Sequence, residues 1–209
     1  MRSLVPWLYV LLFVVLLACL AGQKFSQPLT PVYDPDTPGY LIPALSQLSG
    51  DGLQQTQGRS FFYPALVLGL LKFTGNLESI VIAQHVISLL TAVVWMALWV
   101  VWCSFLPRSL TRLLLTPLIG LAAVGFYMAG AETILFGLQV RPEAVFPLAA
   151  SLQILCLMIY IKARWPVSGE PDTSVALASG AAAVVFTVAA YSLKQSWGFA
   201  TLLSPMMLG

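Results

Sequence analysis

Apolar residues run through this chain in long blocks, and the lengths of those blocks predict its elements. A helix needs roughly 20 predominantly apolar residues to cross a bilayer. Residues 3–22, 78–106, 113–130, 143–161 and 175–193 each supply such a run, so five spanning helices are predicted. A sixth apolar run begins near Trp197 and stops at Gly209. "FFYPALVLGLLKF", residues 61–73, is apolar but only about a dozen residues long, which suits a re-entrant or interface-lying helix and not a crossing. The first two spans are joined by a loop over residues 23–77, whose part up to residue 60 is the chain's long polar segment. Inside it "GYLIPALSQL" reads as a short helix. Asp36 or Thr37 can cap it, and Pro38 falls near the first helical position, where its missing N–H costs nothing.

Composition agrees with this pattern. Hydrophobic residues make up 59% and charged residues 9% of the chain, against about 25% charged in soluble domains. The fold class is therefore an all-α membrane protein, a polytopic bundle of transmembrane helices with short interfacial helices in its outer loop. A net charge of +2 gives no case for nucleic acid as a partner. Cys19, Cys103 and Cys156 lie inside apolar runs without metal-ligand spacing and read as small buried hydrophobes.

Short loops predict the orientation. Arg2, Arg108, Arg112, Lys162 and Arg164 fall on one side if all five spans cross, which makes that side cytoplasmic. Asp34, Asp36, Asp51, Glu78, Glu132 and Glu143 then lie outside, and Glu170 and Asp172 inside. The chain is expected in a plasma or inner membrane, with its long loop on the periplasmic or extracellular side. The first span reads as a retained anchor, its apolar run being longer than a usual signal core; a cleaved leader would leave the loop on the same side.

That loop holds the candidate chemistry. "YDPDTPGYLIPAL" carries two aspartates, and "GRSFFYP" follows about fifteen residues later. "QVRPEAVFPLAASLQIL", residues 139–155, places Arg141 and Glu143 at the start of the fourth span, on the same predicted face. Together, "PDTPGYLIPALSQLSGDG…GRSFFYPALVLGLLKFTG" and "RPE" resemble the N-terminal part of the polytopic membrane glycosyltransferases of the GT-C class, in the branch of protein O-mannosyltransferases and aminoarabinose transferases. Asp36, Tyr40, Arg59, Tyr63 and Pro64 match the family's pattern of an aspartate, an aromatic opening a short helix, and a later basic residue with an aromatic–proline pair.

The resemblance implies transfer of a sugar from a polyprenyl-phosphate donor to a lipid, glycan or protein acceptor at the outer face. The attacking acceptor needs a general base, for which Asp36 is the leading candidate and Asp34 the second. Tyr40, Arg59, Tyr63, Arg141, Glu143 and Lys194 are the substrate-binding candidates. Arg59, Arg141 and Lys194 would meet the anionic phosphate, although each alone also reads as a side chain snorkelling to lipid headgroups. Glu143 equally suits dipole complementarity at a helix start. Asp34 and Asp36 could also hold Mg²⁺ or Mn²⁺, which take oxygen ligands.

Several polar residues have plainer readings. His85, inside the second span, is expected to make a hydrogen bond between helices. Glu132 is expected at the interface. Trp95, Trp99 and Trp102 read as an aromatic belt near the cytoplasmic end of that span. "GAAA" at 180–183, with Ala176, Ala178 and Ser179, gives the fifth span a small-residue face for close packing. Two alternatives stay open: a non-catalytic assembly or scaffold subunit, and a small transporter, against which the scarcity of ionisable residues in mid-span argues. The family's members are longer and carry more spans, so the run ending in "GFATLLSPMMLG" suggests a truncated reading frame.

Overall fold

A computed structural model describes residues 4–52, 54, 60–106, 110–166 and 169–196. Arg2, Arg59, Arg108 and the apolar run from Trp197 lie outside the described residues.

The described chain is helical. The order is α1 (Leu4–Phe25), α2 (Thr37–Ser49), α3 (Phe62–Thr74), α4 (Glu78–Ser104), α5 (Leu110–Met128), α6 (Ala131–Leu138), a 3-10 turn (Pro142–Ala144), α7 (Phe146–Arg164) and α8 (Thr173–Leu193). Four of these helices, α1, α4, α7 and α8, are long and apolar enough to cross a membrane by themselves. The predicted third span takes a different form. α5 and α6 make one crossing only if joined, and they are bent by 50° at their junction. Gly130 takes an extended conformation there. The Thr133 hydroxyl donates to the Tyr127 carbonyl at 2.9 Å, which also accepts the Gly130 N–H at 3.2 Å. The short apolar segment forms α3, as its length predicts, and ends at Gly75, whose left-handed φ of 65° needs a residue without Cβ.

Packing follows the small residues. Lipid tails are as apolar as leucine, so apolar area alone does not drive helices together in a bilayer; close approach and hydrogen bonds do. Ala176, Ser179, Gly180, Ala183, Thr187 and Ala190 recur at helical spacing and are all buried, on the helix that packs most closely with α7. α4 runs through the middle of the bundle against α1, α3, α5, α6 and α7. The tryptophan belt is only partly such a belt. Trp95 Nε1 donates to Ser151 Oγ on α7 at 2.6 Å, and its ring stacks on Tyr127 at 4.5 Å. Trp99 Nε1 donates to the Thr116 carbonyl at 2.8 Å. Trp102 alone of the three is exposed. A partner on a neighbouring helix turned the other two inward.

Two cores result. Leu20, Ala92, Val124 and Met128 join α1, α4 and α5. Ala44, Tyr63, Val67, Leu71, Ile80, Val140, Ala149, Ala190 and Leu193 join α2, α3, α4, α7 and α8 at the end of the bundle where the long loop lies. The second core is the floor of the candidate site.

Candidate functional site

The loop after α1 is pinned to the bundle by its main chain. The Val32 N–H donates to the Leu138 carbonyl at 2.8 Å, and Val32 pairs with Gln139 in an isolated parallel bridge. Two residues on, Asp34 folds the chain into a turn. Its Oδ1 accepts the Asp36 N–H at 2.9 Å, and its own N–H donates to Thr37 Oγ1 at 3.1 Å. α2 starts from this turn with a proline in its first positions. Asp36 stands at the cap position, but its side chain makes no capping hydrogen bond. The expected cap is thus replaced by a turn closed by Asp34, since a short aspartate side chain competes well for a backbone N–H two residues ahead.

The same end of the bundle receives the "RPE" segment, and the two motifs meet. Arg141 reaches Asp34 Oδ2 through one terminal nitrogen and Asp36 Oδ2 through the other, both at 3.3 Å, while its Nε lies 3.3 Å from Glu143 Oε2. Lys194, just past α8, approaches Glu143 Oε1 at 3.7 Å. Arg141 and Lys194 also lie over the rings of Phe136 and Phe146, at 5.5 and 5.9 Å from their centroids. Burial works against the Arg141 charge, but Glu143, Asp34 and Asp36 outweigh it and raise the guanidinium pKa. Three carboxylates facing two cations leave the cluster with one formal negative charge. The two aspartates differ. The Asp34 side chain is 13% exposed and engaged through both oxygens, whereas that of Asp36 is 39% exposed. Asp34 shapes the loop; Asp36 presents a carboxylate to solvent.

Beneath the cluster lies an aromatic and amide wall. Tyr40 and Tyr63 meet edge to face at 5.4 Å. The buried Gln84 amide donates to the Tyr63 hydroxyl and, at 3.0 Å, to the Gln139 carbonyl. Burial drives the Tyr63 phenol pKa well up; the Gln84 hydrogen bond and the Arg141 main chain oppose the rise, while Glu143 and Tyr40 add to it. Tyr63 is therefore a fixed neutral hydroxyl at any working pH. Beside the cluster a cleft opens between α4, the α5–α6 junction and the 3-10 turn, lined by Gln84, Ser88, Thr91, Thr133, Phe136 and Glu143 among others.

Of the residues nominated from sequence, Asp34, Asp36, Arg141, Glu143 and Lys194 form one linked cluster, and Tyr40 and Tyr63 form its wall; Arg59 lies outside the described residues. Glu143 sits on the 3-10 turn before α7 instead of opening the span. His85 is buried on α4 against the end of α1, its ring edge to face with Phe25 at 5.4 Å. Among the described residues no group of three or more His, Cys, Asp or Glu is arranged to hold a metal. Arg141 stands between Asp34 and Asp36 and reaches both carboxylates. Sequence reasoning missed Gln84 and Gln139. A glutamine in an apolar span is costly unless satisfied, and that cost is the signal that points to Gln84.

No family model matches the chain, and no curated protein or solved structure matches it.

Proposed function

We propose that the chain is the membrane part of a glycosyltransferase that takes a sugar from a polyprenyl-phosphate donor and passes it to an acceptor hydroxyl or phosphate at the outer membrane face. The observation that supports this reading most is the convergence of the two motifs on which the resemblance rests: Asp34 and Asp36 lie on Arg141 of the "RPE" segment, 107 positions away from Asp34. In this reading Asp36 is the general base, held by Arg141. Asp34 keeps the loop in shape, and Glu143 lines the cleft where acceptor or sugar hydroxyls would lie. Lys162 and Arg164 fall in the last turn of α7, at the end of that helix opposite the 3-10 turn, which by the charge rule favours an outer position for the cluster.

The test is Asp36→Asn in the full-length gene product, assayed in membranes with radiolabelled polyprenyl-phosphate sugar. A general base contributes about 10²- to 10⁴-fold, so transfer should fall by at least about a hundredfold with expression and insertion unchanged. Wild-type turnover in this variant removes the reading.

A second reading has its own support. A cluster that pairs its charges internally is also what a structural clasp requires, as in a non-catalytic assembly subunit. Under that reading the wild-type protein transfers no sugar, and Asp36→Asn alters only stability.

A further inference from the structure

Arg141 reaches its three carboxylates from a stretch of extended chain. Gln139 and Arg141 both have extended backbone, between the end of α6 and the 3-10 turn. Such a stretch lacks a regular helical ladder for its polar groups, so its place depends on the donors that reach it from other elements. On one side the Val32 N–H donates to the Leu138 carbonyl. From α4 comes the buried Gln84 amide. Its Nε2 donates to the Gln139 main-chain carbonyl at 3.0 Å, lies 3.5 Å from the Arg141 carbonyl, and donates to the Tyr63 hydroxyl on α3. The Arg141 main chain meets that same hydroxyl. Next to Gln84 on α4, His85 packs so closely on Gly137 that a Cβ there would come within 3.1 Å of its Nδ1.

A glutamine inside an apolar span is costly unless its amide is satisfied, and here the amide nitrogen ties α4 to α3 and to the extended stretch together. The contacts that stretch carries have little slack. Each of the three Arg141 nitrogens stands 3.3 Å from its carboxylate oxygen, and an ion pair is lost beyond about 4 Å. All three nitrogens are in use, so a longer reach toward one partner is a loss at another. A main-chain shift of under about 1 Å at Arg141 is enough to break the set.

We infer that Gln84 is a positioning residue: its amide fixes the main chain at 139–141 so that Arg141 meets Asp34 and Asp36, and thereby sets where the Asp36 carboxylate stands. What Asp36 then does as a base rests on the glycosyltransferase reading; the positioning does not.

The test uses the purified full chain in mixed micelles and measures the coupling between Arg141 and Asp34 by the double-mutant cycle of Arg141→Met and Asp34→Asn. In the wild-type background the unfolding constants should show a coupling of about fivefold. In a Gln84→Leu background, which keeps the bulk of the side chain and removes its donors, the coupling should fall below about twofold. Gln84→Asn keeps the amide but withdraws it by one methylene, and should leave an intermediate value. Gly120→Ala, whose strain falls on Trp99, is the control for general loosening and should keep the full coupling. In transfer assays Gln84→Leu should lower kcat about tenfold or more through misplacement, leave KM within about twofold, and add nothing to the loss caused by Asp36→Asn. Undiminished coupling in both Gln84 variants overturns the inference, as does an equal loss of coupling in Gly120→Ala or an unaltered kcat in Gln84→Leu. A wild-type protein that transfers no sugar removes the glycosyltransferase reading, and the coupling then decides the inference by itself.

Discussion

Replacing Arg141 with methionine should unfasten the loop after α1, and the size of the effect follows from exposure. The Arg141 side chain is 22% exposed, and its partners Asp34 and Glu143 are 13% and 18% exposed. Breaking a fully buried pair costs about 3–5 kcal/mol, and an exposed pair is worth about 0.2–1 kcal/mol. The Asp34 and Glu143 contacts fall between these limits at about 1–1.5 kcal/mol each. The contact to Asp36, whose side chain is 39% exposed, belongs near the lower limit at about 0.5 kcal/mol. Arg141→Met should therefore destabilise the protein by about 3 kcal/mol, with Lys194 still holding Glu143. A double-mutant cycle with Asp34→Asn isolates one contact and should give a coupling of about 1 kcal/mol. The measurement is unfolding in mixed micelles followed by tryptophan fluorescence, with protease sensitivity of the 26–36 segment as a local readout. Both variants should loosen that segment. Additivity within about 0.3 kcal/mol would mean that the Arg141–Asp34 contact does not hold the loop.

The other predictions concern different parts of the molecule. Gly120 has no room for a side chain, because a Cβ there would lie 2.5 Å from Trp99 Cδ1. Gly120→Ala should cost about 1–3 kcal/mol by overpacking, shift Trp99 fluorescence as its bond to the Thr116 carbonyl breaks, and leave the α7–α8 contact unchanged; unaltered stability would refute the packing described. Asp172 caps α8 by accepting the Val175 N–H at 3.0 Å. That bond first, and the Ser174 hydroxyl second, hold its carboxyl below the usual carboxylate range. A depressed folded-state pKa contributes stability above the ordinary value of about 3.9 that is lost as the pH falls through the lower folded value. Amide exchange at Val175 should show this acid-side loss, and Asp172→Asn should keep the cap while abolishing its pH dependence. An unchanged pH profile in that variant would exclude Asp172 as the titrating group.

Spans are written in block length, so four of the five predicted runs and their approximate limits correspond to single long helices; the predicted 175–193 is observed as Thr173–Leu193. The bend between α5 and α6 could not be read, because apolar character continues across Ala129 and Gly130 and the break depends on a local turn that Thr133 completes. The inward turn of Trp95 was hidden for a different reason. An interfacial tryptophan and one bonded to a serine on another helix have the same local sequence, and Ser151 is 56 positions away. At the site, motif order suggested that Asp36 and the "RPE" segment share one end of the bundle. It gave no information on pairing.

That pairing changes how the cations at this end should be understood. Charge alone nominated Arg141 and Lys194 as the seat of a phosphate, and each would serve if free. Geometry commits Arg141 to three carboxylates through all three of its nitrogens and Lys194 to Glu143. A phosphate approaching Arg141 would have to displace Asp34 or Asp36 and place its own charge beside a cluster that is already net negative.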